Sequence, residues 1–405
     1  MRIPLLTAAF LALWLAGCQS ATDARPAASA PPVTAAMPLR FATFNTSLYD
    51  ETHGGLIARL DEGDEDARRI AATIQHLRPD VLLLNEFDYD PAGRAATLFQ
   101  QRYLGVGQLG EQAITYPYRY LAEVNTGVPS GLDLDQDGRI GGEGRFHGND
   151  AWGYGLHPGQ YGMLVLSRHP IDADAVRTFR LLRWSTMPRA LEPRHPDGRA
   201  FYPADVWSKL RLSSKSHWDV PIDTPLGRIH LLAAHPTPPV FDGPERRNAA
   251  RNHDEIRLWA EYVTPGDKPW LCDDAGRCGG LDADARFVIA GDYNADPADG
   301  GSLPGTIHQL LEHARVVRYA TPRSDGAAAD AATSPGNASH KSSPAHDTAS
   351  FGPRNGNFRV DYVLPSVGLP VQASGVFWPR PGETGAAWLD ATDHRLVWVD
   401  LATPE

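Results

Sequence analysis

Apolar and polar positions change period repeatedly along this 405-residue chain, and the changes mark alternating strands and helices. Residues 39–45 read as a strand. Over 64–77 the period becomes helical, with Ala67, Ile70, Ile74 and Leu77 on one face behind an acidic first turn, until Arg78-Pro79-Asp80 breaks it. Residues 81–84 are apolar without interruption, as expected for a strand covered on both faces, and they deliver Asn85 and Glu86 at the carboxyl end. Further strands are predicted at 161–167, 206–212, 228–235, 287–290, 359–364 and 396–401. A second helix has Asp242 and Glu245 as a cap pair, Pro244 in its first turn, and Ala249, Ile256, Trp259 and Val263 as its buried stripe.

Two stretches interrupt the alternation. Residues 323–357 are dominated by Ala, Ser, Gly, Asp and Pro and read as a long mobile loop, either a lid or a tolerated surface insertion. Another insertion, near 125–155, contains Asp133, Asp135 and Asp137 followed by Gly138, the spacing of the first half of a calcium loop. Gly144 stands where that loop carries its bidentate acid, with Glu143 one place early. The segment is either a Ca2+ site that rigidifies the insertion or a solvated acidic turn. The sequence shows no repeat of fixed period.

With 42% apolar and 21% charged residues the composition is that of a globular protein. A formal charge of -11 disfavours nonspecific binding to a polyanion, though a local basic cleft remains compatible with it. Arg2, an apolar stretch over 5–15 and Leu15-Ala16-Gly17-Cys18 resemble the signal and lipobox of a bacterial lipoprotein. The expectation is a signal peptide over 1–17, acylation of Cys18, a flexible tether over 18–38 and one domain over 39–405. Gln19 points to the outer membrane; a plain secretory signal is the alternative. In an exported protein, Cys272 and Cys278 read as a disulfide rather than half of a zinc site.

The residues suited to chemistry stand at strand ends: Asn45, Glu86, His235, Asp292 with Asn294, Asp361, and Asp393 with His394. Singly each has a bland reading as a cap, a turn residue or a satisfied core group. In order, Thr43-Phe44-Asn45, Asn85-Glu86, Leu232-Ala233-Ala234-His235, Gly291-Asp292-Tyr293-Asn294, Arg359-Val360-Asp361-Tyr362 and Thr392-Asp393-His394 resemble the endonuclease/exonuclease/phosphatase superfamily over about 39–401. The resemblance implies a four-layer α/β sandwich, two mixed β-sheets face to face with helices outside, and an active site at one end of the sheets.

It also implies roles. Glu86 is the main magnesium ligand, manganese being a substitute, with Asp393 assisting and Asn45 positioning the metal-bound phosphate or water. Asp292 orients or deprotonates the attacking water, and Asn294 contacts a phosphoryl oxygen. His394 is the catalytic histidine, fixed by Asp361, and His235 contacts phosphate or protonates the leaving oxygen. Ser47 replaces an acidic ligand that some relatives carry. The implied enzyme is a monomeric phosphoesterase acting on a phosphomonoester or phosphodiester, with an exported nuclease and a non-catalytic binding protein as alternatives. For a nuclease, Arg189, Arg194, Trp184 and Trp207 are the candidate groove residues.

Overall fold

The strands of the computed structural model, which describes residues 38–402, are β1 (Leu39–Leu48), β2 (Val81–Phe87), β3 (Tyr118–Tyr120), β4 (Met163–Ser167), β5 (Arg177–Thr178), β6 (His217–Thr224), β7 (Gly227–Ala234), β8 (Arg286–Asp292), β9 (Ala349–Ser350), β10 (Asn357–Phe358), β11 (Asp361–Pro365), β12 (Val371–Val376) and β13 (Val397–Leu401). The signal peptide, Cys18 and the tether up to residue 37 lie outside the described residues. One six-stranded sheet has the order β12-β13-β1-β2-β4-β3, and a five-stranded sheet runs β11-β8-β7-β6-β5. Both are mixed: β1 and β2 are parallel, as are β7 and β8, while their other neighbours run antiparallel.

Side-chain alternation builds the layers. Val81 and Leu83 of β2 enter the core between the sheets with Phe41, Trp218, Val220, Leu231 and Val399. Leu82 and Leu84 face the other way, onto Ile70 and Ile74 of the helix Glu65–Leu77. The uninterrupted apolar run of β2 is thus explained by two covered faces. Leu232, Phe287 and Ile289 on the outer face of the second sheet pack with Ile256 and Trp259 of the helix Arg247–Val263. The result is the four-layer α/β sandwich.

Several local expectations are corrected. Residues 206–212 do not form a strand: Ala204–Trp207 is a short helix after Pro203, and Val206 and Leu210 are buried at a spacing of four, one helical turn. The long helix starts at Arg247, not around Pro244, and Asp242 serves it from farther back by accepting from the amides of Asn248 and Ala249 at 2.7 and 3.0 Å. The 323–357 stretch is not a structureless loop. It contains the helix Asp325–Ala331, further short helical turns and the β9–β10 hairpin, and its core is made of methyl groups such as those of Ala327 and Ala331.

Replacing Leu231 by Ala, which removes three carbons from the packing between the sheets, should cost ~2–5 kcal/mol in urea unfolding. The same truncation of exposed Leu109 should stay within about 0.5 kcal/mol. Equal effects at the two positions would contradict the assigned core.

Candidate active site

The sheets end together where β1 and β2, and β7 and β8, run parallel. Asn45 pairs with Asn85, and Glu86 follows in a left-handed conformation with φ of 54°, a strained geometry for a non-glycine residue. Ala234 lies opposite Gly291, so His235 and Asp292 emerge side by side. Only glycine fits at 291: φ is 151°, and a Cβ would stand 2.0 Å from the Ala234 carbonyl oxygen. Asp361 of β11 pairs with Asp292 from the other side.

Asp292 is the point of convergence. Its Oδ2 accepts from Asn45 Nδ2 at 3.0 Å and lies 3.4 Å from His235 Nε2 and 3.6 Å from His394 Nε2. Oδ1 accepts from the Asn294 amide at 2.9 Å. Burial pushes this carboxyl up, but the two imidazoles and the Asn45 amide outweigh burial and hold it well below the usual carboxylate range. Asn85, quoted above only as part of a motif, braces the centre: its Oδ1 accepts from the Asp292 amide at 3.2 Å and its Nδ2 donates to the Ala234 carbonyl at 3.3 Å. These bonds join the two sheets at the site.

His394 is fixed from behind. Its Nδ1 lies 2.9 Å from Asp361 Oδ2, which also accepts from Thr348 Oγ1 at 2.8 Å. Burial lowers the imidazole, but Asp361 and Asp292 outweigh it and raise it to about 10; burial raises Asp361 to about 6, so at neutral pH the two form an ion pair. His235 differs: burial and the Lys215 ammonium push it down to about 4, so it is neutral, and its Nδ1 is buried without a hydrogen-bond partner among the described residues. The Phe351 ring packs edge-on to His394, with centroids 5.6 Å apart. Thr348 and Phe351 both come from the 323–357 insertion, for which a lid or a surface insertion was expected without either residue being singled out.

Glu86, near the end of β2, is partly buried. Burial raises it to about 7 against the pull of His394 and the Asn45 amide, and no Lys or Arg forms a salt bridge with it among the described residues. Asp393, half exposed, has Oδ1 3.8 Å from His394 Nε2. Both carboxylates act on Tyr49, whose ring packs on Tyr161 with centroids 4.5 Å apart. A partly buried carboxylate without a salt bridge among the described residues, a second acidic oxygen and the side-chain oxygen of Asn45 fit a hard divalent cation that keeps several waters. Asp292, Asp361 and His394 also lie within mutual ligand distance. Within this trio His394 Nδ1 is already hydrogen-bonded to Asp361, and Asp292 already accepts from Asn45 and the Asn294 amide. Where some relatives carry an acid, Ser47 Oγ lies 3.1 Å from Thr392 Oγ1.

The remaining expected residues are placed less directly. Asn294 turns its Nδ2 to the Pro236 carbonyl at 3.2 Å. Lys215, missed by the sequence reading, is buried, and its charge acts on Glu86, Asp292 and His235. It stands just before β6, a strand concealed in the sequence by Pro221 and by buried, paired Asp219. Away from this site, oxygens of Asp133, Asp135 and Asp137 do come within 4.8 Å of one another. Cys272 and Cys278 are disulfide-bonded.

The model of the Endonuclease/Exonuclease/phosphatase family matches residues 42–394, and the chain belongs to this family. Its members are hydrolases acting on phosphate esters and use divalent metals. Curated proteins give no match by sequence. Among solved structures, the chain is similar to an endonuclease/exonuclease/phosphatase from Beutenbergia cavernae (20% identity, 91% of this chain and 72% of that one, TM-score 0.49). It is also similar to sphingomyelinase C from Streptomyces griseocarneus (17%, 90% and 99%, 0.42) and to beta toxin from Staphylococcus aureus with bound magnesium ions (11%, 90% and 99%, 0.40).

The raised His394 contributes stability that is complete below its unfolded value near 6.5 and is lost as pH rises through about 10. Imidazole NMR should therefore show the wild-type ring protonated from pH 5 to 8, about the physiological range for histidine switching. In Asp361→Asn its midpoint should fall. An unchanged midpoint would show that Asp361 does not hold the charge.

Proposed function

We propose that the chain is a divalent-cation-dependent phosphoesterase that hydrolyses a phosphomonoester or phosphodiester by in-line attack of water. The observation that carries this reading is the convergence of Asn45, His235 and His394 on one oxygen of Asp292, beside a partly buried Glu86 that forms no salt bridge among the described residues. A carboxylate held as low as Asp292 is a weak proton acceptor in the resting site, so its first task is to orient the attacking water. His394, positive and backed by Asp361, faces the space where charge develops on the phosphoryl oxygens. His235, being neutral, serves through a hydrogen bond and is less suited to protonating a leaving oxygen. Glu86, Asp393 and Asn45 would hold the cation, magnesium or manganese. When bound, it supplies positive charge to a phosphoryl oxygen.

Nothing in the geometry favours a nuclease in particular. Trp184 is fully buried and its ring packs on Trp207 at 5.0 Å, while Arg194 pairs with Glu192. These side chains belong to core and surface rather than to a groove.

With bis-nitrophenyl phosphate and magnesium, Asp292→Ala and His394→Ala should each reduce turnover by at least ~100-fold, with circular dichroism unchanged. A chelator should abolish wild-type activity, and magnesium or manganese should restore it. Near-normal turnover in either variant would refute the assigned roles.

We also propose calcium at Asp133, Asp135 and Asp137, supported by their converging oxygens and by a buried Asp133 Oδ1 without a partner. Calcium should raise the melting temperature of the wild-type protein but not of Asp135→Asn. An equal rise in both would point to a solvated turn instead.

A further inference from the structure

Behind the catalytic pair, the 323–357 insertion forms an open cavity of about 450 Å3. Its wall mixes methyl and ring carbon, from residues such as Ala331, Ala338, Pro335 and Pro344, with the polar side chains of Thr333, Ser334, Asn337, His340 and Ser342, and it holds one carboxylate, Asp347. Asp347 is only 2% exposed, and its Oδ1 has no hydrogen-bond partner among the described residues. An ionised carboxyl in such surroundings is unfavourable unless a cation meets it. The carboxylates of Asp296 and Asp299 act on it from nearby, adding negative potential, and burial with these like charges raises its carboxyl to about 7.

The chemistry of the wall selects the kind of cation. Calcium takes about six to eight oxygen ligands and favours carboxylates, and Asp347 is the single carboxylate lining a pocket far larger than one ion. Asp296 already accepts from the amides of Ala298, Asp299 and Arg359, and Asp299 from Lys341 and Ser342. Alanine and proline carbons interleaved with hydroxyl and amide groups around that carboxylate instead suit a small organic cation, whose charge meets Asp347 and whose carbon shell meets the methyls. We propose that this cavity is a binding site for a small organic cation, an alkylammonium or quaternary ammonium group, with Asp347 as its counter-charge.

The site is separate from the catalytic one but joined to it by a single peptide. The backbone at Asp347 is extended, with φ of -64° and ψ of 145°, so consecutive side chains point to opposite sides. Asp347 faces the cavity, whereas Thr348 faces the site and donates to Asp361. The next residues are paired with the catalytic segment: the Ser350 amide donates to the Asp393 carbonyl, and the Arg395 amide donates to Thr348.

Calorimetric titration of the full mature chain with tetramethylammonium, and with tert-butanol as a neutral probe of similar shape, tests the proposal. Tetramethylammonium should bind saturably, and Asp347→Asn should weaken it by about tenfold or more, the scale of one charge-assisted contact. Ala331→Leu, which fills the cavity and keeps the carboxylate, should weaken it as well. His394→Ala should bind like wild type, which separates this result from the fate of the hydrolytic reading. Absence of saturable binding, equal binding of tert-butanol, or unchanged affinity in Asp347→Asn and Ala331→Leu would overturn it.

Discussion

A fully buried carboxylate at the end of a sandwich must be compensated, and the way Asp292 is compensated organises much of this molecule. Its two oxygens gather an amide, two imidazoles and a backbone N–H. Those partners come from β1, from the residue after β7, from the loop after β8 and from the segment before β13. Removing the carboxylate from water is tolerable only while these groups surround it, so the same contacts that stabilise the charge hold the strand ends in register.

Fold and chemistry are connected through this layer. The core between the sheets is apolar along its length, but at one end it changes to Asn45, Asn85, His235, Asp292, Asp361 and His394, all buried. Asn85 ties one sheet to the other through the Asp292 amide and the Ala234 carbonyl. Two histidines a short distance apart are driven in opposite directions, His394 up by two carboxylates and His235 down by burial and Lys215. Such a separation assigns one imidazole the charge and leaves the other neutral.

Much of this was legible from residues alone, because the strand-end motifs combine unusual chemistry with a strong apolar approach. Val81 to Leu84 announced a doubly covered strand, and Asp292 and His394 followed or preceded similar runs. What stayed hidden has specific causes. Pro221 and Asp219 disguised β6, since a proline and a buried acid argue against a strand unless their pairing is known. Thr348 and Phe351 lie in a segment whose core is made of alanine methyls, a packing mode without a hydrophobic period to read. Asp242 caps its helix from a distance that the usual cap spacing does not describe. Lys215 gained its significance only when the start of β6 was set beside His235.

The central claim is that these strand ends form one cation-dependent phosphoesterase site. Anomalous diffraction from crystals soaked in manganese and inorganic phosphate tests it most directly. A manganese peak is expected against the Glu86 carboxylate, with phosphate between it and His394. A peak elsewhere with none beside Glu86, or phosphate bound away from Asp292 and His394, would contradict it.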